Sequence, residues 1–252
     1  MARESESDTA AAEEMLANSG SGAPELTRRG RQSRVALIEA AAIVFGRDGF
    51  INARIGDIVA EAGLSHGSFY TYFKSKEAIF REVIDVIKDD MTRRPDRLQV
   101  SDDPYQLVMW SNQHFIEVYR RNAALMATLE QVSTFNPDIA QYRTDIRKGY
   151  VERNSRAIRR WQAEGRADPN IDARYAAIAL GAMVDRLVYI WLVQGEELNE
   201  ALALETLTRL WVQSLGLNAP DPQESAADLP PTSQTGSRRT GSALRRKDIV
   251  KT

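Results

Sequence analysis

Cysteine is absent from the 252 residues, which excludes disulfides, thiol nucleophiles, thiolate zinc sites and cysteine redox sensing together. Histidine is nearly absent: His66 and His114 are the only two, too few for a histidine metal cluster. No glycine-rich phosphate loop and no G-x-S-x-G elbow occurs, and the carboxylates fall on polar helix faces where solvation accounts for them. Neither a metal nor a cofactor is expected. Strand-like alternation of apolar and polar residues is also missing, so the chain reads as all-α. Met1 to Gly22 is acidic and rich in Ala and Ser, without the basic-then-apolar layout of a leader, and a cytoplasmic protein is expected. The net charge is only −2, so no global basicity advertises nucleic acid.

What is present is a local excess of positive charge around one motif. Between Thr27 and Lys76 stand eight basic residues (Arg28, Arg29, Arg31, Arg34, Arg47, Arg54, Lys74, Lys76) against four acidic ones (Glu39, Asp48, Asp57, Glu61). A basic surface therefore sits on a mildly acidic protein. Inside that stretch, Ile55, Ile58, Val59 and Ala62 recur at three- and four-residue steps, the stripe of a short helix facing a core. Gly63 stops that helix, since glycine accepts the left-handed conformation that ends one. Ser65 is placed to cap the next, in which Phe69 and Phe73 share one face. His66, Ser68, Tyr70, Thr71 and Tyr72 spread around the rest, a face able to donate and accept hydrogen bonds. The pattern predicts a tight helix-turn-helix.

The run Ile58-Val59-Ala60-Glu61-Ala62-Gly63-Leu64-Ser65, then Gly67-Ser68-Phe69-Tyr70, Tyr72-Phe73 and Ser75-Lys76-Glu77 with Phe80 resembles the N-terminal domain of TetR-family (tetracycline-repressor-like) transcriptional regulators. The resemblance covers roughly Gln32 to Met91, about a quarter of the chain. It implies that His66, Gly67, Ser68 and Thr71 approach base edges in the major groove, and that Tyr70, Tyr72 and Lys76 grip phosphates to fix the register. Tyr70 is the one of these whose ring could instead finish the small core; Tyr72 and Lys76 are the least suited to a purely structural role. Arg54 departs from the pattern, because the family usually has Thr or Ser there, as a helix cap and phosphate contact. Arginine reaches phosphate but cannot cap.

In chain order, residues 1–30 form an arm too poor in apolar side chains to fold, with Arg28, Arg29, Arg31 and Arg34 as a basic stretch that either flanks the DNA or is simply solvated. Residues 31–91 form a helix-turn-helix DNA-binding domain. Val35, Ile38, Ala42 and Phe45 place an amphipathic helix over Ser33 to Arg47, ending near Gly49, and Ser75 caps a helix running through Met91. Gln99 to Pro104 reads as a polar loop. Residues 92–217 form a larger helical domain, with helices over Tyr105 to Asn122, around Leu125 to Val132, and over Asp138 to Glu164, Asp172 to Val193 and Asn199 to Leu215. Asp172 to Val193 is the most apolar segment. Asp185 and Arg186 at its middle argue for a buried helix over a membrane span. The tail, 218–252, is rich in Pro, Ser, Thr, Gly and Arg and reads as disordered.

In the larger domain Trp110, His114, Tyr142 and Asp185 are the candidates for lining a ligand cavity, because pockets in helical bundles are mostly apolar with a few fixed polar groups. Asp185 with Arg186 has an equally plain reading as an ion pair that fixes helix register or a dimer seam. The resemblance implies a homodimer through the two C-terminal helices, a double-stranded operator as partner, and release by a small apolar effector. An all-helical carrier or enzyme carrying an idle helix-turn-helix is the alternative, and it lacks any visible catalytic set.

Overall fold

The computed structural model describes residues 27–93 and 103–217, and among them every regular element is helical. The disorder expected of residues 1 to 26 and of the tail lies outside the described residues, as does most of the 99–104 loop. Helix α1 spans Arg28–Asn52, starting five residues before the expected Ser33. Arg28 and Arg29, expected in a disordered arm, thus lie with Arg31 and Arg34 in the first turns of a helix. Thr27 starts it, its hydroxyl accepting from the Gly30 amide at 3.1 Å, and arginine is a good helix former. Gly49 interrupts α1 with φ 72°, and the short turn beyond it carries Phe50 inward. Phe50 meets Phe45 and Phe80 at centroid separations of 5.6 and 5.2 Å, and Phe45 and Phe80 lie 5.1 Å apart. This aromatic trio, with Leu37, Ile38, Val44 and Ile58, centres the small N-terminal core.

The motif follows as α2, Ile55–Glu61, and α3, His66–Tyr72. Gly63 has φ +65°, and the Leu64 amide closes the turn on the Val59 carbonyl at 2.9 Å, as a glycine stop requires. Phe69 is fully buried, and each such aromatic contributes roughly 1.5–3 kcal/mol through burial. Ser65 occupies the cap position, but its hydroxyl bonds to the Ser68 hydroxyl at 2.8 Å and to no helix amide. At the head of α2 the difficulty posed by Arg54 is met from the other side: the Asp57 carboxylate accepts from the Arg54 amide at 3.1 Å. That supplies half of a capping box without a Ser or Thr.

Helix α4, Lys76–Thr92, is capped by Ser75, whose hydroxyl accepts from the Ala78 amide at 3.2 Å. It buries Ile79, Phe80, Val83, Ile84 and Ile87 and continues into the larger helical domain, packing on α5, Pro104–Arg121, and α7, Pro137–Ala163. Between them lies α6, Ala123–Ser133, and the chain ends its described part with α8, Ala173–Leu192, and α9, Glu200–Ser214. Asp103, Asn136, Asp172 and Asn199 cap α5, α7, α8 and α9 through their side-chain oxygens. Helix α7 packs chiefly along α8, and α9 along α5.

Candidate nucleic-acid interface and effector domain

The folded motif leaves one face of α3 open. Phe69 and Phe73 point inward, while His66, Gly67, Tyr70 and Thr71 are exposed and Ser68 is half-buried. The His66 ring meets the Tyr70 ring edge-on at 5.7 Å, and Tyr70 also packs edgewise on Phe69 at 5.4 Å. Tyr70 is 56% exposed, so its ring does not complete the core; Tyr72, half-buried against the core, takes more of that part. The order in which the two tyrosines were expected to serve structure is therefore reversed. Arg54 stands exposed at the start of α2.

Lys76 departs from expectation. Its ammonium donates to the Phe50 carbonyl at 2.7 Å and the Ala53 carbonyl at 3.0 Å, and lies 4.5 Å from the centre of the Phe50 ring. Burial lowers its pKa. The charge expected to reach outward to phosphate instead holds the carbonyls where α1 ends, which joins that end to the head of α4. No local signal marks this, because the partners lie 26 and 23 residues away.

At its other end α4 is fixed again. The Asp90 carboxylate pairs with Arg121 at 2.8 Å and Arg93 at 3.3 Å, and the Asp90 carbonyl lies 2.7 Å from His114 Nε2. Trp110 stacks on His114 with centroids 4.9 Å apart and planes 14° from parallel. Two of the four expected cavity residues thus belong to one cluster that holds α4 to α5. Tyr142 belongs to the seam of α4 and α7: its hydroxyl donates to the Arg81 carbonyl at 3.0 Å, and the Arg81 guanidinium lies over its ring at 5.6 Å. Burial, and then the nearby Asp85 carboxylate, push the Tyr142 hydroxyl pKa well up.

Asp185 is half-buried on α8, and its adjacent Arg186 does not pair with it: Arg186 is exposed and covers the Tyr189 ring at 5.0 Å. Burial raises the Asp185 pKa, opposed by Arg143, which itself forms an ion pair with Glu130. The Arg81, Asp90, Glu130 and Arg143 contacts were not foreseen from the sequence, where nothing distinguishes them from solvated charges.

Helices α8 and α9 carry an apolar surface that the single chain leaves open. Tyr175 is 74% and Leu202 63% exposed, with Ile178 and Leu210 also exposed. On length and composition α8 is apolar enough to cross a membrane, but Asp185 and Arg186 at its middle would be costly in hydrocarbon and one side packs on α7.

Comparison with known proteins bears on both parts. Residues 37–83 match the family model for bacterial regulatory proteins of the tetR family, and residues 110–216 match that for the C-terminal domain of the transcriptional regulator EthR. The uncharacterized HTH-type transcriptional regulator YdgC of Bacillus subtilis is 30% identical over 193 residues, 72% of this chain and 92% of that one. The HTH-type regulator TtgR of Pseudomonas putida is 25% identical over 182 residues, 67% of this chain and 84% of its own. Among solved structures, SmeT, the repressor of the Stenotrophomonas maltophilia multidrug efflux pump SmeDEF, shares the fold with a TM-score of 0.58 at 19% identity, covering 72% of this chain and 89% of its own. FadR of Bacillus subtilis, in complex with stearoyl-CoA, shares it with a TM-score of 0.57 at 19% identity, covering 73% and 98%. With a glycine-stopped helix-turn-helix, a helical domain behind it and these matches over both, the chain belongs to the TetR family of DNA-binding transcriptional regulators.

Proposed function

We propose that this chain is a homodimeric repressor of a near-palindromic operator, released by a small, largely apolar effector held in the domain of residues 92–217. The observation that carries the reading is the open face of α3, where His66, Gly67, Ser68, Tyr70 and Thr71 stand clear of a core closed beneath them by Phe69. Of these, His66, Gly67, Ser68 and Thr71 approach base edges, Gly67 by letting the backbone come close; Arg54, Tyr70 and Tyr72 hold phosphates. Lys76 serves the same end indirectly by fixing α1 to α4.

The dimer forms through the exposed apolar stripes of α8 and α9, set as a four-helix bundle with the partner's copies. Effector binding shifts the population toward a conformation whose two α3 helices no longer match half-sites about 34 Å apart. Helix α4, held at one end by Lys76 and at the other by Asp90, is suited to carry that movement. SmeT is a repressor and FadR was solved with stearoyl-CoA, which favours repression and a mostly apolar effector here.

Fluorescence anisotropy of the protein on the DNA upstream of its own gene, repeated across a salt series, tests the reading. The expected result is competition by specific DNA only and a log-log salt slope of about −0.9 per phosphate contact. Binding that is indifferent to sequence, or absent both there and from a random-sequence library, overturns it.

A further inference from the structure

The two helices proposed to meet a second copy of the chain hardly pack on each other. Helix α8 packs on α7 and on α5, and α9 packs on α5. The turn between them does little to fix their angle. Its backbone hydrogen bonds run back to α8 as far as the Glu196 amide, which donates to the Ile190 carbonyl at 3.2 Å. Those of the Asn199 cap run forward into α9, from the Leu202 and Ala203 amides. Among the described residues none joins one set to the other.

Arg120, in the last turn of α5, reaches both helices. Its guanidinium donates through two nitrogens to the two carboxylate oxygens of Glu200, at 3.1 and 3.0 Å. Glu200 is the first residue of α9. The same guanidinium lies over the ring of Trp191, in the last turn of α8, with Cζ 5.1 Å from the ring centre. Exposed ion pairs are usually weak, but the two-pronged fork and the shared ring hold this one to a single geometry. Leu202, an exposed member of the apolar stripe, stands in the turn that Glu200 opens.

We propose that Arg120 is a positioning residue for dimer assembly. It sets the first turn of α9 against the last turn of α8, so that the two apolar stripes are presented together. A chain without this clamp meets its partner with α9 free to turn on its connection, and the cost of ordering it is taken from the affinity. A symmetric dimer contains the clamp twice, so a loss of about threefold at each becomes about tenfold in the dissociation constant. The inference rests on the dimer reading above and names a side chain outside the seam on which the seam depends.

Sedimentation equilibrium of the full-length protein tests it. Arg120→Gln is expected to raise the dimer dissociation constant about tenfold, and Glu200→Gln to do nearly as much. The double variant should be little worse than either, since both break one contact. Arg120→Lys keeps the charge but loses the fork and the flat face, and should fall between wild type and Arg120→Gln. Circular dichroism checks folding, and Glu200→Gln, exposed and of nearly the same shape, reads the clamp without altering α5. A dissociation constant unchanged in Arg120→Gln and Glu200→Gln, even with a lower urea midpoint, overturns the proposal, as do additive losses in the double variant. Ile178→Glu with Leu202→Glu separates the two readings. A dimer that this pair splits and Arg120→Gln leaves intact overturns the clamp alone, and a wild-type monomer overturns both.

Discussion

Residue by residue, the motif separates side chains that hold the fold from those left for DNA. Gly63 at φ +65° is of the first kind. A methyl group there would touch nothing within 4 Å, so Gly63→Ala costs only the left-handed backbone, about 1 kcal/mol, visible as a lower urea midpoint with unchanged slope. Lys76 is also of the first kind: Lys76→Met strips two carbonyls of a charged donor and is expected to lower stability by about 1–3 kcal/mol in the same assay. In the proposed reading, the exposed Tyr70 and Thr71 are of the second kind. Being exposed, Tyr70→Ala and Thr71→Ala should each change stability by less than about 0.5 kcal/mol. In operator binding they should nevertheless differ, Tyr70→Ala weakening all sequences and Thr71→Ala changing the preference among them. A loss of stability with no change in DNA binding would place either side chain in the core instead.

Among the elements, α4 is the one held at both ends and along its side. Tyr142 ties its second turn to α7 through the Arg81 carbonyl, and Asp90 ties its last turn to α5 through Arg121 and His114. Tyr142→Phe keeps the ring and removes one hydrogen bond, for an expected loss of about 1 kcal/mol in chemical denaturation. If α4 transmits effector binding, the same variant should leave operator affinity without effector near wild type while raising the effector concentration needed for release. An unchanged release curve would remove Tyr142 from that path. The helix itself was legible from its 3- and 4-residue apolar spacing and the Ser75 cap. Its ties were not, because Arg81, Asp90 and Tyr142 find their partners through packing, 61 residues apart for the Tyr142 bond.

At the scale of the molecule, the proposed dimer rests on the exposed stripes of α8 and α9. Ile178→Glu with Leu202→Glu places charge in the proposed seam, and light scattering after gel filtration should report a monomer where wild type runs as a dimer. Operator affinity should fall with it, since two half-sites are then bound independently. A dimer that survives both changes would move the seam elsewhere. The helical class, the motif, the starts of α8 and α9 and the stop at Gly63 were determined by the sequence itself. Each depends on residues within one or two turns of each other, where periodicity and backbone preference act locally. The inward turn of Lys76, the exposure of Tyr70, and the lack of an ion pair between Asp185 and Arg186 were decided only by the tertiary structure. Those depend on which surfaces meet, and a charged or aromatic side chain has the same local preferences whether its partner is water, a carbonyl or another helix.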